Sequence, residues 1–332
     1  MLRALIVIAA SVAFFSSSAF AAPLKIATVA PEGTAYLREM RAAGDAIKIA
    51  TAGRVELKFF PGGVMGADAA TVLRKIKLGQ LQGGAFSGTE LSSVSNDGAI
   101  FGLPFFFASK AEFDHVLNKT SGLIRDSFAK GGMVVPGMCG GGYAYLLSTK
   151  PLASLDDLRK TKVWSPAGDP IAEVGFKIAG ASTVPLGIAD VYPSLQTGLV
   201  ETVGGPLAAI IGFQWHTKVK YMADVPLAVT IGFLAFDKRA FDKLTPADQA
   251  LVNSEIEKAF TKLNTINFDD AAARAALIKQ GIQTQLPSAE QAKAWEAVGT
   301  KSLAELSQKN AFSKPVLDAV LAARAEFRAQ PK

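Results

Sequence analysis

Apolar and polar positions alternate along this chain in two rhythms, and the switches between them mark its elements. "LKIATVA" over 24–30 predicts a strand, and "TAYLREMRAAGDAIKIATAG" after it repeats its apolar residues at helical spacing and closes on Gly53. "RVELKFFPGG" alternates at Val55, Leu57 and Phe59 before a Pro-Gly-Gly stop, so a second strand is expected there. "ADAATVLRKIKLGQ" predicts a helix with Val72, Ile76 and Leu78 near one face, and "LQGGAFSG" a short glycine-rich strand. "IFGLPFFFAS" is the most apolar run beyond the N-terminal leader, and it reads as a buried strand leaving into a loop. Alternating strands and helices argue a largely parallel sheet with helices on both faces.

A second β-α-β unit begins near Tyr143. It comprises the strand "GYAYLLS", a helix start in "PLASLDDLRK", and a short strand Lys162-Val163-Trp164 that stops at Ser165-Pro166 and a Gly-Asp-Pro turn. "IAEVGFKIAGA" follows as a helix closed by Gly180, then the strand "STVPLG", the helix "IADVYPSLQTG" and the strand-turn "LVETVGGP". From about Ile231, "GFLAFDKRAFDKL" reads as a strand and helix returning to the first unit. Thr245 then caps a helical stretch over about 246–280 that stops at Gly281. If continuous, at ~1.5 Å per residue, it is over ~50 Å long and crosses both units. Amphipathic segments from Ala289 and from Lys314 finish the chain. The fold class expected is α/β: a two-lobe periplasmic binding protein fold, with a ligand cleft between the lobes and a long bridging helix. Residues 22–141 and 230–269 would form lobe I, and 142–229 and 270–325 lobe II.

The N-terminus sets the compartment. Arg3, the apolar "ALIVIAASVAFF" and small residues at Ala19 and Ala21 predict a Sec signal peptide over 1–21, cleaved after Ala21. The apolar run falls short of the ~20 residues that span a bilayer, and no Cys stands at the cleavage site to accept lipid. The chain is therefore expected free in the periplasm. Cleavage would leave 332 − 21 = 311 residues, which suits two lobes, and 35 − 1 = 34 basic against 29 acidic side chains, a net charge of +5. That charge is dispersed, with no block of five or six Lys/Arg, so no nucleic-acid partner is expected.

Catalytic chemistry finds no support in the pattern. Cys139 is the only cysteine, set in "VVPGMCGGG", and reads as a buried, inert thiol. His115 and His216 lie far apart and outside any metal-ligand spacing, and no G-x-S-x-G elbow is present. "CGGGYAY" has Gly140 and Gly142 but no third glycine at 145, so it is not a dinucleotide fingerprint. Neither metal nor cofactor is expected.

"PLASLDDLRKTKVWSPAG" and "AGASTVPLGIADVYPSLQTGLVETVGGPLAA", together with "FFPGGVMG" and "LPFFFAS", carry a resemblance. Over almost the whole span beyond the leader, the chain resembles the DctP-type solute-binding subunit of tripartite ATP-independent periplasmic (TRAP) transporters. The resemblance implies two α/β lobes that close on an organic anion, and delivery, as a monomer, to a small and a large membrane permease subunit. It also implies an arginine, clamping the ligand carboxylate, where this chain has Trp164. A second cleft arginine falls at about Ala144, between Tyr143 and Tyr145, and a turn amide at Gly205.

With those three polar contacts replaced, the resemblance points to a neutral, aromatic or alicyclic solute, or to a carboxylate held in another way. It places Ser87 and Glu90 near the ligand from the first lobe, with Glu32 a further candidate, and Trp164, Ser165, Ile188 and Trp215 opposite. Glu90 would favour an amine or hydroxyl donor, or else form a surface or hinge salt bridge. Trp215 touches the ligand or packs helix against sheet. Asp190, Tyr192 and Gln196 orient their helix. Two other functions stay open: a ligand-presenting partner of a sensor or other carrier, and a secreted α/β enzyme.

Overall fold

The computed structural model describes residues 23–330, so the leader over 1–21 and its cleavage after Ala21 lie outside the described residues. The chain opens with β1 (Leu24–Ala27), α1 (Ala35–Ala50), β2 (Leu57–Phe60), α2 (Ala69–Lys77), β3 (Gly83–Ser87), a 3-10 turn at Asp97–Gly102 and α3 (Lys110–Lys130). β4 (Met133–Ser148) leads to α4 (Leu155–Arg159), β5 (Lys162–Pro166), α5 (Pro170–Ala179), β6 (Ser182–Leu186), α6 (Ile188–Thr197), β7 (Thr202–Pro206) and α7 (Leu207–Gly212). The remainder is β8 (Tyr221–Ala223), β9 (Ala228–Asp237), α8 (Lys238–Phe241), α9 (Pro246–Ile266), α10 (Ala271–Lys279), β10 (Gln283–Gln285), α11 (Ala289–Gln308) and α12 (Lys314–Ala329). Local chemistry sets many of the boundaries. Thr34, Asp68, Ser109, Ser154, Asp169, Thr245 and Ser288 each accept a backbone N–H at a helix start. Gly180 and Gly198 end α5 and α6 in the left-handed conformation.

All ten strands join one sheet in the order β2-β1-β3-β9-β4-β7-β5-β6, with β8 pairing β4 and β10. β4 is the strand common to both lobes. Its first part pairs with β9 in the first lobe, and its last residues pair with β7 and β8 in the second. Alternation carries neighbouring residues to opposite faces. In the second lobe Tyr145 and Trp164 share one core, while Leu146 and Val163 share the other with Leu158 and Trp295.

The span over 246–280 comes as two helices instead of one. α9 buries Val252, Ile256, Phe260 and Leu263 in the first lobe, and α10 buries Leu277 in the second. The break over 267–270 is caused by what it sits on. β4 bulges between Gly140 and Gly142, and both backbone groups of Gly140 turn to α9: its N–H donates to Asn264 Oδ1 and its carbonyl accepts from Asn267 Nδ2, each at 2.9 Å. A Cβ on Gly140 would lie 2.3 Å from the Phe268 ring, and one on Gly142, at φ +98°, would lie 2.4 Å from the Asn267 carbonyl oxygen. Only glycine admits the helix junction so close to the strand.

Two other expectations change. "IFGLPFFFAS" is buried as expected but is a 3-10 turn and coil, because Pro104 lacks a donor and Phe105 takes a positive φ. Its rings pack in several directions: Phe107 stacks on Phe101 at 6.0 Å and meets Phe113 edge-on at 5.3 Å. At the C-terminus, α11 packs on α5, but α12 packs on α3, burying Val316 and Val320 in the first lobe's core. The expected grouping of 270–325 with lobe II therefore does not describe α12.

Gly142→Ala should lower the unfolding free energy by about 1–3 kcal/mol, the range for enforced backbone strain. Gly232→Ala, whose Cβ would meet nothing within 4 Å, should lower it far less. Urea melts of the two variants check this, and equal losses would contradict the seating of the junction on β4.

Candidate functional site

The carboxyl ends of β3 and β5 meet across the lobes, at the position where open α/β sheets hold ligands. Thr89, in the loop after β3, lies near enough to Asp169, in the turn after β5, to pull its carboxyl down. Asp169 is 8% exposed, and its Oδ1 caps α5 by accepting from the Ile171 and Ala172 N–H groups at 2.9 and 3.0 Å. Beside Thr89, Glu90 is half-buried and accepts from the Ser87 N–H at 2.6 Å. Burial pushes the Glu90 carboxyl up, against the pull of Ser87, and the charges of Asp169 and Asp68 raise it further. Burial likewise pushes Asp169 up, against the bonds from Ala172, Thr89 and Ile171, with Glu173 adding to the rise. Neither Glu90 nor Asp169 has an attractive cation among these influences.

On the second lobe, Trp164 is 7% exposed and its indole N–H donates to the Leu186 carbonyl at 3.0 Å. It meets Trp215 edge-on at 5.1 Å, and Trp215, 2% exposed, stacks on Phe213 at 5.4 Å. The position at which the resemblance implies a guanidinium thus holds a packed aromatic group whose only donor is satisfied. Ser165, next along β5, is 2% exposed, and its Oγ has no partner. Ile188 lies half-buried against the same aromatic core. Gly205 is paired with Tyr145 inside the sheet, and Ala144 with Pro206.

Tyr143 packs against the cores of both lobes and meets Phe268 edge-on at 5.1 Å. Tyr145 is buried beneath the Arg274 guanidinium, 5.0 Å from its ring, and Arg274 is held by Asp224 at 2.7 Å. Asp270 lies within reach of the Tyr145 hydroxyl, has a buried Oδ2 without a partner, and has its carboxyl raised by burial. Lys110 is paired with Asp114 and lies 5.3 Å from the Phe268 ring.

The structure therefore gathers Trp164, Tyr143, Tyr145, Ile188, Gly205 and Trp215 about the second lobe's aromatic core. It sets Ser87 and Glu90 on the facing lobe, near the turn that follows Ser165. Glu32 is exposed and forms a two-pronged pair with Arg41 at 2.6 and 2.9 Å. Sequence reasoning missed Thr89, Asp169, Asp270 and Arg274 as members of this region. Asp169 had a usable signal, because Asp-Pro before an apolar helical run is a cap pattern. Arg274, among alanines, had none. Cys139 is buried, and burial pushes its thiol up to about 12. A groove of about 530 Å³ lies at the opposite end of β1 and β3, against Lys25, Lys77 and Arg239, away from all these residues.

The fold is shared with solved receptors. A Bordetella pertussis extracytoplasmic solute receptor with pyroglutamic acid superposes with a TM-score of 0.84 at 21% identity, covering 92% of this chain and 100% of that one. A TRAP periplasmic solute-binding protein of Desulfovibrio desulfuricans with sn-glycerol-3-phosphate gives 0.85 at 22% identity, covering 94% and 99%. In sequence, the 2,3-diketo-L-gulonate-binding periplasmic protein YiaO of Escherichia coli (strain K12) is 24% identical over 256 residues, 75% of this chain and 76% of the relative. Residues 26–310 match the family model for DctP, and the chain belongs to that family, the bacterial extracellular solute-binding proteins, family 7.

Proposed function

We propose that this protein is the periplasmic receptor of a TRAP-type transporter, closing its lobes on a small organic solute and passing it to the membrane permease subunits. The relatives' ligands are small polar acids, which supports a solute of that size. We further propose that the solute is not held here by a carboxylate clamp at β5. The observation that carries this is Trp164, which fills the clamp position with its N–H already bonded to Leu186. An arginine–carboxylate pair is two-pronged and directional, whereas indole offers a flat face. Removing one partner of a desolvated charge pair costs ~2–5 kcal/mol, or tens to thousands-fold in affinity. Nearby cations do not replace it, because Arg274 and Lys110 are engaged with Asp224 and Asp114.

A thermal-shift screen tests the ligand class. Succinate and malate should give little or no shift, and solutes with an aromatic or alicyclic face and no second carboxylate should give the hits. Trp164→Phe keeps a ring in that wall and should retain them. Tight succinate binding to the wild-type protein would contradict the reading. With a hit at saturation, X-ray scattering should show a smaller radius of gyration than without it; an unchanged radius would mean that the lobes do not close.

The acids of the lobe interface give a pH dependence. A carboxyl whose pKa is higher folded than unfolded loses stability as pH rises through its unfolded value, and the loss is complete above its folded value. Glu90→Gln should therefore raise the melting temperature of the ligand-free protein near about pH 8 and change it little near about pH 3, below both values. A melting temperature that instead fell at about pH 8, with the loss fading toward acid, would show that Glu90 is held as a favourable carboxylate.

A further inference from the structure

We propose that Pro104 and Phe105 form a plug from the first lobe, seated between α5 and α11 of the second, that fixes the resting angle between the lobes and with it the resting width of the cleft. The inference concerns how the lobes are held and stands whichever solute binds. Three sets of contacts carry it, each made by a different part of the segment.

The first lies in two neighbouring side chains. Phe106 is buried in the first lobe's core with Phe101, Phe107 and Phe113, whereas Phe105 packs into the second lobe's core with Leu227, Val298 and Trp295. The Phe105 ring lies 6.4 Å from that of Trp295, and the Phe105 N–H donates to the Leu227 carbonyl at 2.8 Å. Sending adjacent rings to different lobes takes a sharp turn of the chain. Phe105 makes it at φ +53°, in the left-handed region that a bulky side chain rarely adopts. Such a conformation persists only where its surroundings hold it in place.

The second is a pair of glycines inside helices. Gly175 lies within α5 and Gly299 within α11, and the two helices pack on each other. Glycine weakens a helix interior, so each position calls for a reason. Both have the same neighbour. A Cβ at Gly175 would stand 3.3 Å from Pro104 Cγ, and one at Gly299 would stand 2.1 Å from the Pro104 carbonyl oxygen and 3.1 Å from Phe105 Cβ. The side chains that these helices lack leave the space in which the plug sits.

The third holds the plug from behind. Arg328 of α12 donates to the Phe106 carbonyl at 3.3 Å, and the Arg324 guanidinium lies 4.2 Å from the Phe106 ring. Arg328 also donates to Glu112 of α3, a carboxylate only 1% exposed. The base of the plug is thus fastened to α3 and α12 in the first lobe while its tip lies in the second. β9 sends Phe233 and Ala235 to the plug's side of the sheet and Leu234 and Phe236 to the side of α9, so the plug and the α9–α10 junction join the lobes on opposite faces. α5, on which the tip rests, begins at Asp169 in the turn after β5. Holding α5 against the first lobe therefore sets where that turn stands relative to the loop after β3.

Pulsed electron–electron resonance between spin labels at Lys58→Cys in β2 and Lys160→Cys after α4, both exposed positions, tests this without any solute, the native Cys139 being buried. The parent pair should give one narrow distance. Gly299→Ala and Phe105→Ala should each shift or broaden it, and Phe105→Leu, which keeps apolar bulk, should bring it back toward the parent. Two controls should leave the distance unchanged: Gly122→Ala in α3, where a Cβ meets nothing within 4 Å, and Phe128→Ala, which lowers the melting temperature by opening a cavity in the first lobe's core. Hydrogen exchange on the unmodified protein gives a second reading that needs no variant to fold, and the Phe105 amide should be protected as long as those of β4. Distances in Gly299→Ala and Phe105→Ala that match the parent's, or a Phe105 amide that exchanges at the rate of a free loop, would overturn the inference and leave the receptor role in place.

Discussion

Both backbone groups of Gly140 are taken by side chains at the end of α9, Asn264 in its last turn and Asn267 at its cap, and the two-lobe arrangement depends on that contact. It fixes the point at which β4 leaves the first lobe's ladder for the second lobe's. It also stops α9 there, because Phe268 and the Asn267 carbonyl occupy the space above Gly140 and Gly142 that any side chain would fill. The chain then restarts as α10 in the second lobe, bringing Arg274 over Tyr145. Strand crossing, helix break and cleft-side aromatic residues are thus consequences of one close approach, made possible by glycine at two positions. Such a junction is where a hinge movement would be absorbed, since hinges are a few loop or element-terminal residues that take up the change in backbone angles.

Charge distribution separates this cleft from the one its family resemblance implies. At the end of β5, where the resemblance implies a clamping arginine, the chain has Trp164, bonded to the Leu186 carbonyl and packed edge-on against Trp215. Lys110 and Arg274 are paired with Asp114 and Asp224, whereas Glu90 and Asp169 are held by backbone N–H groups. Burial raises the cost of each charged acid, and the carboxyls of Glu90 and Asp169 are pushed up accordingly. The fold and the charge pattern answer different questions: the fold shows the kind of protein, and the side chains at the strand ends determine which solute it can hold.

Most strands and helices were legible because their apolar periods were clear and their caps conventional, as at Thr245, Asp68 and Gly180. α3 was legible too, with Phe113, Val116, Leu117, Thr120, Ile124 and Phe128 buried at helical spacing, though no element was assigned there. The break after Ile266 was not, because Asn-Phe-Asp-Asp contains neither glycine nor proline and its cause lies in β4, more than a hundred residues earlier. The aromatic run before α3 misled because burial alone does not distinguish a strand from packed coil. Trp164, Ser165, Ser87 and Glu90 were named as candidates by transferring family positions onto matching motifs, and not from the apolar pattern. The influence of Asp169 on Glu90 could not be read, since it depends on how closely two loops distant in sequence approach. Glu32 is paired at the surface with Arg41, nine residues on along α1, a contact the sequence pattern did not disclose.

Native mass spectrometry of the protein as purified from the periplasm, followed by identification of whatever denaturation releases, tests the central claim most directly. The account expects one small molecule per chain, without a pair of carboxylates. Release of a plain C4 dicarboxylate would contradict it, and would show that the cleft holds anions despite Trp164.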